Sequence, residues 1–459
     1  MSTPFDYIRK QQETFKEELF ELLRIPSISA DPNHKKDVRR TAEFIANQLQ
    51  QIGINNVSIE DTAGHPIVLG NYLKAGPDTP TILIYGHYDV QPPDPLDKWE
   101  TQPFEPTVRD GKIYARGASD DKGQLYTHIK AIESFIKTGT ELPANIKFII
   151  EGEEEIGSPS LVSFLAANRE RLKCDMVLVS DTAMFAEDTP SITYGLRGLM
   201  YLEVEVTGPN RDLHSGVYGG GVQNPANALC EMIARLKDKN GVIQIPGFYD
   251  KVRPLTDQER EAYALLPFDQ QAYNEALQID EAFGEAGYST LECVSGRPSL
   301  DVNGIWGGYL GEGAKTVLPS KATAKISARL VPDQEPKEIF HLIEKRLHEV
   351  KPPGVNIKLA EHHGGHPVLV DLNFYGLKAA AAAYEDIYGK KALFAREGGS
   401  IPIVADFAKT LNATTILMGF GLNSDAIHSP NEHFHLKDFE RGMLTSARFF
   451  ELLGNYIDK

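Results

Sequence analysis

Four short apolar runs, each handing over to an imidazole or a carboxylate, constrain this chain more than anything else in it. Ile82-Leu83-Ile84-Tyr85 gives way to Gly86, His87, Tyr88 and Asp89. Residues 145–150 (NIKFII) run straight into Glu151-Gly152-Glu153-Glu154-Glu155, and 175–179 (DMVLV) into Ser180-Asp181. Residues 414–418 (TTILM) lead through Gly419-Phe420-Gly421 to Asp425 and His428. Runs of this length and type read as buried strands. In open α/β sheets, active sites collect just beyond the carboxyl ends of the strands. A further cluster, Ser119-Asp120-Asp121-Lys122-Gly123, opens a helical stripe of Leu125, Ile129, Ile132 and Ile136. A carboxylate at a helix N-terminus is kept ionised by the local dipole, which suits a metal ligand.

Oxygen and imidazole donors without thiolate suit zinc, manganese or cobalt, zinc being the commonest. Two histidines and several carboxylates exceed what one catalytic zinc uses. They fit two metal ions that share a bridging carboxylate. The bland alternative is a set of solvated acidic turns.

Composition narrows the function classes. A chain of 459 residues is expected to form two domains, each with its own core. A formal net charge of −17 argues against nucleic acid and against anionic membrane surfaces as partners. No apolar segment approaches the roughly 20 residues of a membrane span. The N-terminus is too polar for a secretory signal. Cys174, Cys230 and Cys293 are widely spaced and form no CxxC pair, as in a cytoplasmic protein with reduced thiols.

Along the chain, Phe15, Leu19, Phe20, Leu22 and Leu23 mark a first helix ended by Pro26. Val38, Ala42, Ile45, Leu49 and Ile52 mark a second, ended by Gly53. Strand and helix then alternate through residue 195, as in a mainly parallel α/β domain. Afterwards 200–206 (MYLEVEV) and 321–331 (KATAKISARLV) alternate, as half-exposed antiparallel strands do. The expected organisation is a catalytic α/β domain over 1–195 and 367–459, with a smaller α+β lid or dimerisation domain inserted over 196–366. The stretch 241–298 gives no clear pattern.

The segments GHYDVQP, ARGASDDKG, EGEEEIGS, SDT, HSGVYGG, AREGGSIP and AIHSPNE together resemble the di-zinc peptidase family of carnosinase and cytosolic nonspecific dipeptidase. Aminoacylase, acetylornithine deacetylase and carboxypeptidase G are its more distant relatives. The likeness runs from about residue 15 to the C-terminus, with all motifs in family order. It implies that Asp120 bridges two metals, His87 and Asp181 completing one site, Glu155 and His428 the other. It implies Glu154 as catalytic base and Asp89 as the carboxylate that orients His87. It also implies a cis peptide between Asp120 and Asp121.

His214 would donate to the tetrahedral oxyanion, reaching the partner's active site in a homodimer; otherwise it is a capping or core histidine. Arg329 would hold the substrate's free carboxylate, and Thr316 and Ser400 match substrate-contacting positions. Read blandly, Arg329 is an exposed strand arginine. His362, His363 and His366 match the end of the inserted domain and no ligand motif. The implied activity is hydrolysis of dipeptides with a free C-terminal carboxylate, by a metal-bridging hydroxide and a glutamate base. N-acyl amino acid deacylation and carboxypeptidase action are the alternatives. A non-catalytic relative would be expected to lack a ligand or the base, and neither is missing.

Overall fold

The computed structural model describes residues 2–399 and 401–456. The chain forms two compact units: Met1–Tyr194 with Val370–Ala395 and Asp406–Lys459, and Gly195–Leu369 with Arg396–Ala405.

In the first unit, Thr3 and Asp6 form a reciprocal capping box that starts the helix Pro4–Leu23. The helix Lys35–Ile52 buries the periodic stripe Val38, Ala42, Ile45, Leu49 and Ile52, and stops where Gly53 turns left-handed at φ 101°. The sheet runs in the order Asn55–Glu60, Ile67–Tyr72, Asn145–Glu151, Thr81–His87, Met176–Val179, Thr414–Leu417. Thr81–His87 lies parallel to both neighbours, and Thr414–Leu417 parallel to Met176–Val179. The entry strands Asn55–Glu60 and Ile67–Tyr72 are antiparallel. The central strands are buried almost throughout. Parallel strands covered on both faces read as unbroken apolar runs, which is why sequence located them so sharply. His87 is in register with Glu151, so these two strands deliver their polar ends side by side.

The helix Lys122–Thr138 departs from the single stripe expected of it. Every residue from Lys122 to Phe135 is buried, polar ones included. It packs against Pro4–Leu23 on one side and Leu436–Leu453 on another. Its polar groups are paired. Lys122 Nζ donates to the carbonyls of Leu22 (3.2 Å) and Ile25 (2.7 Å), and Lys130 pairs with Glu133 and Glu18. His128 is held at both nitrogens, 2.6 Å from Ser180 Oγ and 2.9 Å from Ser446 Oγ. The Ser180 hydroxyl already donates to the Met418 carbonyl, so His128 Nε2–H donates to Ser180 and Nδ1 accepts from Ser446.

The second unit holds an antiparallel sheet in the order Ser299–Gly307, Lys321–Leu330, Gly198–Thr207, Asn356–Gly365. Burial alternates strictly along Gly198–Thr207, as the sequence pattern requires. Met200, Leu202, Val204 and Val206 join Ile326, Leu229 and Ile343 in one core beneath the helices Pro225–Ala234 and Pro336–Val350. The unreadable stretch contains the helices Asp257–Leu265 and Gln270–Leu277 and a helical turn at Glu292–Gly296. Between them the two helices bury only Tyr263, so no apolar stripe could betray them.

Burial pushes the His128 imidazole down to about 3, so it stays neutral in the fold. The unfolded chain takes up a proton near pH 6.5 that the folded one refuses. Stability is therefore fully present above about pH 6.5 and lost as pH falls toward 3, by up to about 1.4 kcal/mol per pH unit from this group. Urea midpoints measured against pH should show a shallower acid decline for His128→Gln than for wild type. Parallel profiles would mean that other groups govern the decline.

Candidate metal centre

The polar ends of the parallel strands supply the site. Thr81–His87 ends on His87, Met176–Val179 is followed by Ser180 and Asp181, and Asp120 lies just before the helix Lys122–Thr138. Gly86 lets that helix approach, since a Cβ there would meet Asp121 Oδ2 and Leu125 Cδ1 at 2.8 Å. The Asp120–Asp121 peptide is cis. Glu155 sits in the turn Glu154–Ile156 beyond Asn145–Glu151, and His428 in a left-handed backbone position (φ 58°) after Thr414–Leu417.

Asp120 faces two imidazoles at once. Its Oδ1 lies 3.0 Å from His87 Nε2 and its Oδ2 3.0 Å from His428 Nε2. Asp181 Oδ2 is 3.9 Å from His87 Nε2, and Glu155 Oε2 is 3.3 Å from His428 Nε2. The donor atoms of His87, Asp120 and Asp181 lie within 4.8 Å of one another, as do those of Asp120, Glu155 and His428. One carboxylate thus belongs to two trios, one oxygen to each. Three carboxylates and two imidazoles converging in this way fit two divalent cations.

The electrostatics agree. Burial works against charge on His87, yet Asp120, Asp89 and Asp181 outweigh it and hold the imidazole well above its ordinary value. Hydrogen bonds to Asp120 and Glu155 carry His428 to about 10. A site that holds imidazoles this strongly in the charged state attracts cations. Metal uptake must displace those protons, so affinity rises with pH.

The four acidic residues of EGEEE divide their work. Glu151 accepts from Tyr85 Oη (2.7 Å) and Ser158 Oγ (2.8 Å), and Glu153 from the amides of His65 (2.7 Å) and Ser160 (3.0 Å). Glu155 joins the second trio. Burial pushes Glu154 up to about 9; His87 opposes this, while Asp181, Glu155 and Asp120 add to it. The Glu154 carboxylate is thus within electrostatic reach of the donor set. Asp89 touches His87 Nδ1 with its backbone carbonyl (3.1 Å) and with Oδ1 (3.4 Å). The Asp89 carboxylate also accepts the amides of Glu154 (3.2 Å) and Glu155 (3.1 Å), a link invisible in sequence.

The substrate residues expected from the resemblance lie elsewhere in the chain. His214, Thr316 and Arg329 belong to the second unit, and Ser400 lies outside the described residues. His214 pairs across a two-residue ladder with Val317, and the Ser215 amide donates to the Thr316 carbonyl, so His214 and Thr316 are neighbours. His214 Nδ1 caps the short helix Ser215–Tyr218 by accepting the Gly216 amide (3.0 Å). Capping fixes the tautomer and leaves Nε2–H as a donor. His362 and His366 pair with Glu203 and Glu335 respectively and join no three-ligand group among the described residues.

The motif AIHSPNE ends on Glu432, to which the sequence alone attaches no role. It is fully buried. Its Oε2 accepts Arg116 Nη1 (2.7 Å) and the Gly117 amide (3.0 Å), and its Oε1 the amides of Ser119 (3.0 Å) and Asp120 (3.1 Å). Burial raises the Glu432 proton affinity, Arg116 and the Gly117 and Ser119 amides oppose this, and the four N–H donors together fix the backbone of the shared ligand. Gln91 acts similarly on the other side, donating to Glu155 Oε2 at 2.7 Å. Glu432→Ala leaves the Arg116 charge buried and uncompensated, and should lose about 3–5 kcal/mol of stability together with metal retention. Denaturant unfolding and metal analysis check this. Native values for both would show that the loop is held by other means.

Residues 83–452 match Peptidase family M20/M25/M40. The chain is 34% identical to the Cys-Gly metallodipeptidase DUG1 of Candida albicans, covering 98% of this chain and 96% of that one. It is 32% identical to the human Beta-Ala-His dipeptidase, over 97% and 91% respectively. The crystal structure of the M20 family metallo-carboxypeptidase Sso-CP2 from Sulfolobus solfataricus superposes with a TM-score of 0.83 at 33% identity, over 96% of this chain and 99% of that one. With the shared carboxylate and its two ligand trios in place, the chain belongs to Peptidase family M20/M25/M40.

Proposed function

We propose that the chain is a metal-dependent dipeptidase that hydrolyses dipeptides bearing a free C-terminal carboxylate. The observation that carries this is the division of the Asp120 oxygens between two ligand trios, in a chain whose full-length relatives are named dipeptidases. His87, Asp120 and Asp181 would hold one ion, and Asp120, Glu155 and His428 the other. Zinc is the metal this mixed donor set favours, with manganese and cobalt next. Two such ions would supply Lewis acidity toward the scissile carbonyl and lower the proton affinity of water.

The chain's own residues do the rest. A Glu154 carboxylate oxygen accepts the proton of the attacking water and returns it to the leaving amine nitrogen. His214 Nε2–H donates to the developing oxyanion. Arg329 binds the substrate carboxylate with its planar fork. Burial first, then the Arg329 charge, bring Arg197 down to about 10, so a second guanidinium lies within electrostatic reach of Arg329. Thr316 and Ser400 contact the substrate.

The enzyme acts as a homodimer in which His214 completes the partner's centre. Supporting this, the strand Ser299–Gly307 is the edge of its sheet and leaves Val302, Ile305 and Trp306 exposed, followed by Tyr309 and Leu310. An open apolar edge of this kind needs a cover, and a second copy supplies one. Among the described residues no helix is long and apolar enough to cross a membrane. The three cysteines are free, which fits the cytoplasm as a reducing compartment.

Glu154→Gln should fold and retain two metal ions, while its turnover falls at least about a hundredfold. Loss of metal from that variant, or near-normal turnover, would remove Glu154 as the base. Mixed with His214→Ala under subunit exchange, it should recover roughly a quarter of wild-type activity, because half the dimers are mixed and each holds one intact site. No recovery despite exchange would place His214 in its own chain's site.

Amidating a good dipeptide substrate should nearly abolish its hydrolysis, and Arg329→Ala should erase most of the difference between acid and amide. Equal cleavage of both by the wild type would sink the carboxylate clamp. The likeness to a metallo-carboxypeptidase supports a second reading, in which the same clamp holds longer peptides. Comparing kcat/KM for a dipeptide and its N-terminally extended tripeptide decides between the two.

A further inference from the structure

A third ligand trio, sharing no residue with the other two, lies at Asp425, His433 and His435. The strand His433–His435 pairs antiparallel with Lys112–Tyr114. Two-residue periodicity turns His433 and His435 to one face and sends Phe434 into the core, where it is fully buried. The two imidazoles lie with centroids 5.8 Å apart. The His433 amide donates to the Asp425 carbonyl (2.9 Å), which ties the acidic residue to the strand.

Asp425 is fully buried, and its two oxygens are treated very differently. Oδ2 accepts the Leu422 amide (2.8 Å) and Ser119 Oγ (3.1 Å). Oδ1 accepts no hydrogen bond. It points instead between the imidazoles, 3.7 Å from His433 Nε2 and 3.8 Å from His435 Nε2. A buried carboxylate oxygen without a partner is costly, so something must meet it. The imidazoles are set up to join in. His433 Nδ1 lies 3.0 Å from the Asn431 carbonyl and so carries the proton, leaving the Nε2 lone pair directed at the same point. His435, at the N-cap of the helix Leu436–Leu453, makes no side-chain capping bond. The three donor atoms fall within 4.8 Å of one another. Zinc bonds of about 2.0–2.2 Å arranged tetrahedrally need donor separations of about 3.3–3.6 Å, so each carboxylate–imidazole gap would have to close by only a few tenths of an ångström.

A cation already engages one of the three donors. Lys112 Nζ lies 3.2 Å from His433 Nε2, on the strand opposite, and its stem is only half-buried, so the ammonium can turn out to solvent. We infer that Asp425, His433 and His435 form a third divalent-cation site, of the zinc type, for which the Lys112 ammonium competes. Three protein ligands leave a fourth position for water. An ion held there would fasten the segment that leads to His428 onto the strand that follows it, and through Ser119 onto the residue next to the shared Asp120.

The competition makes the test two-sided. Chelator-stripped protein, dialysed against buffered free zinc, should take up one more ion per chain in the wild type than in a His433→Ala/His435→Ala variant. Lys112→Met should bind that extra ion at least about tenfold more tightly, the scale on which a neighbour of a metal site moves affinity. Should the double variant fail to fold, His435→Gln carries the same expectation at a partly exposed position, with native circular dichroism as its control. Equal zinc content in wild type and histidine variants would overturn the site, and so would a Lys112→Met protein that binds the extra ion no better. Ions held elsewhere cancel in the difference, so the outcome does not depend on the dipeptidase reading.

Discussion

The Glu432 carboxylate sits under the loop 116–120 and takes four N–H donors, including the amide of Asp120 itself. A residue whose two oxygens face two different ligand trios must not rotate freely, and a side chain alone has too many rotamers to prevent it. Fixing the backbone that leads up to and includes the Asp120 amide limits that freedom. Asp89 does the equivalent for the turn bearing Glu154 and Glu155, and Gln91 for the Glu155 carboxylate. Asp120, Glu155 and His87 are thus each held by a polar neighbour. The arrangement tolerates little error, because an unmatched charge at this depth costs several kcal/mol.

Much of this was legible from sequence, for identifiable reasons. Parallel strands buried on both faces leave continuous apolar runs, so Thr81–His87, Asn145–Glu151, Met176–Val179 and Thr414–Leu417 stood out, and their polar ends pointed to the centre. The alternation along Gly198–Thr207 and Lys321–Leu330 was equally plain, since one face of that sheet carries the core of its unit. The spacing of histidines and carboxylates suggested two metals, but which residue serves which ion came only from the family likeness.

What sequence could not supply were partnerships between residues far apart in the chain. Glu432 lies 316 residues from Arg116, and nothing local marks either as buried. Lys122, Lys130 and His128 look like the polar face of an ordinary amphipathic helix, yet all three are enclosed and matched by carbonyls, carboxylates and serines. The helices Asp257–Leu265 and Gln270–Leu277 escaped for the opposite reason: they are short and mostly exposed, so their signature is the capping residues Thr256 and Asp269 rather than any periodicity. His433 and His435 were passed over because alternation across three residues is too brief to read as a strand.

The ligands of the shared centre come from positions 87, 120, 155, 181 and 428, so one trio is composed wholly of residues from the first two-fifths of the chain and the other waits for its end. During synthesis, His87, Asp120 and Asp181 emerge long before His428. Glu432, which holds the loop of Asp120 in place, emerges later still. A nascent chain therefore passes through a long interval in which it exposes half a centre without the support that gives it shape. Domains generally fold as their residues leave the ribosome, but this one must keep its first strands waiting while an entire second unit is made. The trio that includes His428 can therefore be completed only once nearly the whole chain has been made.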